Sequence, residues 1–389
     1  MNNKIIRLYN FKNIGNNISR NNISRNNISR NNISRNNISQ NNIYIKDNLI
    51  CEISKKIIKC SFDIDCKGKI LMPGFFDIQI NGANNILFNN LKKSDELDFI
   101  CLQLLKEGIT SFFATLISPS LNEMKNFFEI YRKSKKIKNL KGIHIEGPFI
   151  EKSKKGIHPE NKIRIPDNED INLIQKNSDI IKLITLSSEI VDSKTINFLN
   201  KSNITVFAGH SDISYENAIK SFKNNIKGIT HIFNSMSGIT ARNPGLALAA
   251  IDYNVYTSII ADFNHVHESL LIRLFKENID KRILISDNIG INKNNYEMNI
   301  FDQKIFKKNN IMKNSNDIIA GSCLSIKDIF LNLYTKKILT LYELEKVTSK
   351  NAAKLFKVNT AEIAEGKLAE LILFDYQNKK NQQIETILI

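Results

Sequence analysis

Ile204-Thr-Val-Phe-Ala-Gly-His210-Ser211 and Gly228-Ile-Thr230-His231-Ile-Phe-Asn234 are two short apolar runs, each delivering a histidine at its end, with the histidines 21 residues apart. Between them, Ser214–Lys223 carries apolar residues at helical spacing. A strand, a helix and a second strand in so short a span point to a parallel pair joined by a crossover helix.

The same alternation runs outward in both directions. From Pro73 onward, strand candidates fall at Phe75–Ile80, Ile109–Thr115, Gly142–Ile145, Ile180–Leu186, Ile204–Ala208, Gly228–Phe233, Tyr256–Ala261 and Arg282–Ser286. Helical patterns lie at Ser94–Glu107, Leu121–Lys135, Ser193–Lys201, Ser214–Lys223 and His267–Asn278. In the second of these, Leu121, Met124, Phe127, Phe128 and Tyr131 share a face, and Ser120 and Glu123 have capping-box spacing. Eight strands alternating with helices match a (β/α)8 TIM-type barrel better than an open sheet. The expected barrel spans 73–357, with helices near Leu324–Lys336 and Thr340–Phe356 at its end. Strand-like stretches at Lys4–Leu8, Ile43–Ile45 and Leu49–Ile53, and a turn into a strand at Glu365–Asp375, suggest a small β-sandwich domain built from both termini, 1–72 and 358–389.

Residues 16–40 repeat Asn-Asn-Ile-Ser-Arg in tandem. A period of five matches neither helix nor strand, and one Ile per unit cannot build a core, so a mobile surface excursion is expected. The formal net charge is +16, yet the lysines are spread along the chain. No helix-turn-helix, zinc-finger or aromatic RNA-binding pattern accompanies them, which leaves no specific nucleic-acid partner. No apolar run approaches the roughly eighteen residues of a membrane span. The first residues lack a signal-peptide core, and the five cysteines include no C-x-x-C pair. They read as reduced thiols of a cytoplasmic protein.

In a barrel of this type the reaction centre forms at the C-terminal strand ends. The polar residues there are Gln79 and Asn81, Glu146, His210, His231, His265 and Asp287. Glu146, His210 and His231 make a suitable set for a catalytic zinc ion with one position open. Asp287 follows the apolar run Ile283–Ile285 and is placed to exchange protons with activated water. Arg242, in Thr240-Ala-Arg-Asn-Pro-Gly245, offers a planar fork of donors to an anion. Taken singly, each also has a bland reading: a satisfied loop or core histidine, a loop cap for Asp287, a solvated arginine for Arg242.

Together they resemble the N-acetylglucosamine-6-phosphate deacetylases of the amidohydrolase superfamily. The resemblance is carried by Pro73-Gly-Phe-Phe-Asp77-Ile-Gln79-Ile-Asn81-Gly82, His144-Ile-Glu146-Gly-Pro148, Lys155-Gly-Ile-His158, Ala208-Gly-His210-Ser211 and Thr230-His231-Ile-Phe-Asn234-Ser-Met236. Arg242-Asn-Pro-Gly-Leu246, Ile260-Ala-Asp262 with His265, Ser286-Asp287 and Gly321-Ser322 continue it in order. It implies one divalent ion per chain, zinc being expected, on Glu146, His210 and His231. Gln79-Ile-Asn81 stands where many superfamily members have a His-x-His for a second metal, as in the single-metal branch. The resemblance further implies that Asp287 is the general base and acid, that His158 polarises the acetamide carbonyl, and that Gln79 and Asn81 line the substrate site. Asn234, Ser235, Arg242 and His265 would bind the sugar phosphate, the last two across a homodimer interface. The chain departs from the family at Asp262-Phe263-Asn264-His265, where a glycine is usual after the aspartate, in the loop after Asp287, and at its C-terminus. Competing readings are another mononuclear amidohydrolase with a different N-acyl substrate, and an inactive basic scaffold that binds polyanions.

Overall fold

The computed structural model describes residues 4–14, 41–135, 138–291, 296–308, 311–377 and 382–387. The repeat at 16–40 lies outside the described residues. The parallel strands are β1 (Phe75–Ala83), β2 (Ile109–Ile117), β3 (Leu140–Glu146), β4 (Ile181–Leu186), β5 (Thr205–Ala208), β6 (Gly228–Ile229), β7 (Tyr256–Ile259) and β8 (Arg282–Leu284), each paired with the next. A short strand β9 (Asn288–Ile289) then pairs in parallel with β1. Residues 285–287 carry the chain from one neighbour to the other: Ile285 N–H donates to Ile259 O (3.1 Å) and Asp287 N–H to Gln79 O (3.0 Å). The last strand expected from sequence, Arg282–Ser286, therefore stops at Leu284, and a further short strand not expected from sequence follows Asp287.

Helices fill the connections: α1 (Ser94–Lys106), α2 (Leu121–Lys133), α3 (Asn168–Lys176), α4 (Ser193–Lys201), α5 (Tyr215–Lys223), α6 (Gly245–Asp252), α7 (Glu268–Asn278) and α8 (Ile326–Thr335). The expected capping box of α2 forms: Glu123 N–H donates to Ser120 Oγ (3.2 Å) and Ser120 N–H to the Glu123 carboxylate (2.7 Å). Such a cap contributes about 1 kcal/mol. His267, unassigned from sequence, caps α7 by accepting from Ser269 N–H. The helix expected over Thr340–Phe356 is interrupted by one wide turn at Lys346–Lys350.

Strand side chains alternate between two cores, as the period of two requires. Phe113, Leu183, Phe207 and Ile283 share an inner cluster. Their neighbours Phe112, Ile184, Val206 and Leu284 pack with the helices. On β1 the register against β2 shifts between Asp77 and Ile80. A shift of that kind re-aims side chains, and here Gln79 and Asn81 follow Ile78 to the inner side.

Two four-stranded sheets flank this unit. One joins Ile5–Tyr9, Asn42–Lys46, Leu49–Ser54 and Phe62–Asp65; the other joins Lys12–Asn13 and Ile70–Pro73 to Leu371–Asp375 and Gln383–Thr386. Leu8, Ile43, Ile45, Leu71, Leu371 and Leu373 form a core common to both. The opposite face of the second sheet (Ile70, Met72, Ile372 and Phe374) packs into the main core. Between β9 and α8 an antiparallel ribbon runs through Glu297–Ile300, Gln303–Lys308, Ile311–Asn314 and Ile319–Ser322. It was not expected from sequence, and it seats Ile300, Ile305 and Met312 on Ile117, Ile157 and Ile289.

Candidate metal centre

Glu146 ends β3, and His210 and His231 follow β5 and β6 by two residues each. All three are buried. Their ligating atoms meet: Glu146 Oε1 lies 3.0 Å from His231 Nε2 and 3.3 Å from His210 Nε2, and the two Nε2 atoms are 3.1 Å apart. Ligands of a tetrahedral ion bonded at about 2.0–2.1 Å stand roughly 3.3 Å from one another, so this triangle has the size of one face of such a shell. Among the described residues this is the group of acidic, histidine and cysteine side chains that could hold a metal ion.

The surroundings fit that use. His210 Nδ1–H donates to Lys154 O (2.9 Å), which leaves the Nε2 lone pair aimed at the other two ligands. His231 Nδ1 is buried without a hydrogen-bond partner. Burial opposes the charge on Glu146, but its contacts with the His210 and His231 imidazoles outweigh it and hold the carboxyl well below its ordinary range. Burial also acts to lower the pKa of His231, and contact with Glu146 reverses this and raises it. The carboxylate thus favours a cation in the cluster, whether a proton on His231 or a metal ion.

The second carboxylate is pushed the other way. Burial first, then the charge of Glu146, raises the pKa of Asp287. The two acids are joined by one amide: Gln79 Nε2 donates to Glu146 Oε1 (2.8 Å) and to Asp287 Oδ1 (3.0 Å). Asn81 Nδ2 donates to the same Asp287 oxygen (2.8 Å), while Asn81 Oδ1 is buried and unpartnered. Two carboxyls driven apart in affinity for protons are suited to different work, one as a charged ligand and one as a proton carrier.

His158 stands beside them, its Nε2 3.8 Å from Glu146 Oε2 and its ring 4.3 Å from that of His210. Burial and then the neighbouring His210 lower its pKa well below the ordinary value, so it is a neutral donor or acceptor. His265 Nδ1 pairs with Asp262 Oδ2 (2.7 Å), which fixes the ring. Burial opposes ionisation of Asp262, but the bond to His265 outweighs it and lowers the pKa. Asn234 spends its amide on His231 O and Ile232 O. Ser235 lies against Gly156: a Cβ on that glycine would fall 3.1 Å from Ser235 Oγ. Arg242 is exposed.

Sequence reading passed over two groups. Asp77 is fully buried and accepts from Gln79 N–H (3.1 Å) and Ser286 N–H (3.1 Å), tying β1 to the segment that carries Asp287. Ser118 contacts His158. The signal for Asp77 was its place two residues before Gln79; Ser118 offered none. Backbone strain marks the same ring of strand ends: Ser118, His210, His231, Ser235 and Asp287 all have positive φ, between 34° and 49°. Non-glycine residues adopt that region rarely, and such outliers gather at functional sites.

A family model described as the amidohydrolase family matches residues 70–388. The chain belongs to the amidohydrolase family, and its mixed α/β fold is of the TIM-barrel type. It is 30% identical over 322 residues to the N-acetylglucosamine-6-phosphate deacetylase of Haemophilus influenzae, covering 80% of this chain and 84% of that one. It is 26% identical to an N-acetylgalactosamine-6-phosphate deacetylase of a Shewanella species, covering 86% and 87%. Among solved structures, the N-acetylglucosamine-6-phosphate deacetylase of Pasteurella multocida superposes with a TM-score of 0.86 at 24% identity, over 97% of both chains.

Proposed function

We propose that this chain hydrolyses the acetamide of N-acetylglucosamine 6-phosphate, giving glucosamine 6-phosphate and acetate, with one divalent ion held by Glu146, His210 and His231. The observation that carries the reading is the bridging of a metal-suited triad to a proton-carrying Asp287 through Gln79. The similarity to deacetylases over most of the chain selects the substrate. The donor set favours zinc. A bound divalent ion supplies Lewis-acid activation of water and of the amide carbonyl.

The chain's own groups supply the rest. Asp287, as carboxylate, accepts a proton from the water whose oxygen attacks the carbonyl carbon. Gln79 and Asn81 hold its Oδ1, leaving the other oxygen for the proton. His158, neutral and buried, donates to the developing oxyanion; one such donor is worth about 3–4 kcal/mol in other hydrolases. As the carbon–nitrogen bond breaks, Asp287 returns the proton to the leaving amine, so the products are acetate and the free amine. Asn81 Oδ1 is left to receive a sugar hydroxyl. Asn234, Ser235, His265 and Arg242 form the phosphate site; exposed Arg242 suits a contribution to a partner subunit in a homodimer. The compartment is the cytoplasm; no helix of the described residues is long and apolar enough to cross a membrane.

The architecture we infer is a closed (β/α)8 barrel over 73–357, in which β8 and β9 are halves of one strand bonded to β7 and β1. A small β-sandwich domain, 1–72 with 358–389, is supported by the core that the two flanking sheets share. The deciding assay measures acetate release alongside metal content, with N-acetylglucosamine 6-phosphate and its galacto epimer compared. About one ion per chain and preference for the gluco substrate are expected; turnover of other N-acyl sugars without this one would overturn the proposal.

A further inference from the structure

Ser118 follows the last residue of β2 and is fully buried. Its N–H donates to Glu146 O (2.7 Å), its φ is +35°, and its hydroxyl oxygen lies 2.7 Å from His158 Nδ1. Gly147 closes the other side. A Cβ there would fall 2.6 Å from Ser118 Oγ and 3.4 Å from His158 Nδ1, so the glycine leaves the space that the hydroxyl occupies.

Which atom carries the proton is decided at the far side of the ring. His158 Nε2 faces Glu146 Oε2 at 3.8 Å. A lone pair on Nε2 would stand against a carboxylate oxygen, whereas an N–H there is attracted to it. With the proton on Nε2, Nδ1 is an acceptor, and the neighbouring group able to serve it is the Ser118 hydroxyl. We propose that Ser118 is a positioning residue: its O–H donates to His158 Nδ1 and holds the ring in the tautomer whose Nε2–H points into the reaction centre.

The inference rests on the deacetylase reading only in the use made of that donor. An imidazole locked as an Nε2–H donor is ready for a developing oxyanion without reorganising. The positive φ of Ser118 fits that role, because this turn brings its hydroxyl to the ring while its N–H holds the end of β3.

The test pairs Ser118→Ala with Ser118→Gly. Both remove the hydroxyl, but glycine relieves the positive φ and alanine keeps it. Nitrogen-15 NMR of histidine-labelled, metal-free wild-type protein should show His158 protonated on Nε2 and bare on Nδ1. Both variants should gain the Nδ1–H form. In metal-loaded protein kcat should fall about tenfold in both, about 1.4 kcal/mol, with KM within twofold and metal content unchanged. Thermal midpoints should differ, with glycine above alanine. A wild-type His158 protonated on Nδ1 would overturn the proposal even if neither variant folded. So would variants that keep the wild-type tautomer, or rates that track the thermal midpoints instead of the hydroxyl. If the wild type released no acetate from the sugar phosphate, the deacetylase reading would fail while the tautomer result stood.

Discussion

Gln79→Leu removes the one amide that touches both carboxylates and leaves the strand and its packing in place. Gln79 is 1% exposed, and its Nε2 lies 2.8 Å from Glu146 Oε1 and 3.0 Å from Asp287 Oδ1. Glu146 keeps two imidazole contacts after the change, at 3.0 and 3.3 Å, whereas Asp287 Oδ1 keeps only the bond from Asn81. The effect therefore falls mainly on Asp287. A hydrogen bond to a charged acceptor is worth about 1.5–3 kcal/mol, which is about one to two pH units. The sign follows from the charge state it favours. Gln79 stabilises the carboxylate, so its loss raises further a pKa that burial and the Glu146 charge already raise. A general base works deprotonated, so activity climbs as pH rises through that pKa. The acid limb of kcat/KM against pH, which reports the free enzyme, should move about one to two units upward, and activity on the alkaline side should be largely kept. Metal content should remain near that of the wild type. A limb that stays in place, or moves to lower pH, would show that Gln79 does not govern the proton affinity of Asp287.

Asp287→Asn should bind metal at wild-type stoichiometry and lose turnover by about 10²–10⁴-fold, the usual contribution of a positioned acid–base group; acetate release with metal quantification checks it. His210→Ala should lose the ion on dialysis, because one of three convergent ligands is gone, and a retained stoichiometric ion would move the site elsewhere. For Asp77, burial lifts the pKa to about 7 from an ordinary 3.8. Between those values the folded chain holds a proton that the unfolded chain releases, so this group's stabilisation is present at acid pH and is lost as pH rises toward 7. Asp77→Asn should flatten that part of the stability–pH curve in denaturant titrations, while weakening the Ser286 and Gln79 contacts; an unchanged slope would mean that Asp77 is ionised throughout.

Much of the site was legible because its residues sit where an apolar run stops. His210, His231 and Asp287 each follow a buried strand or strand segment, and a periodic pattern that ends on a polar side chain marks a strand's C-terminal end. The helix Gly245–Asp252 was missed for the opposite reason: it is almost wholly apolar and buried, so it has no polar face to reveal its period. The ribbon at 297–322 lies in a stretch rich in Asn and Lys, and its pairing depends on register between its strands, which composition does not encode. The short strand β9 also could not be read, since the apolar run stops at Ile285 and only the pairing with β1 makes Asn288–Ile289 a strand. Gln79 was placed at the site by sequence, but its two hydrogen bonds, to Glu146 and to Asp287, are a fact of three dimensions.

That pair of hydrogen bonds bears on how many ions the centre can hold. A second cation placed between Glu146 Oε1 and Asp287 Oδ1 would have to displace Gln79 Nε2, which meets the two oxygens at 2.8 and 3.0 Å. Its two N–H groups fill that position with donors, and the neutral amide nitrogen has no lone pair to offer a metal. A histidine at 79 would present a ring nitrogen that binds metal when deprotonated; glutamine presents hydrogens. Gln79 therefore offers no nitrogen ligand there and adds a restraint on Asp287, and Asn81 adds a second at 2.8 Å. A single ion on Glu146, His210 and His231 is then the arrangement these side chains favour. In the proposed mechanism Asp287, held by Gln79 and Asn81, would take the proton from water and return it to the leaving amine.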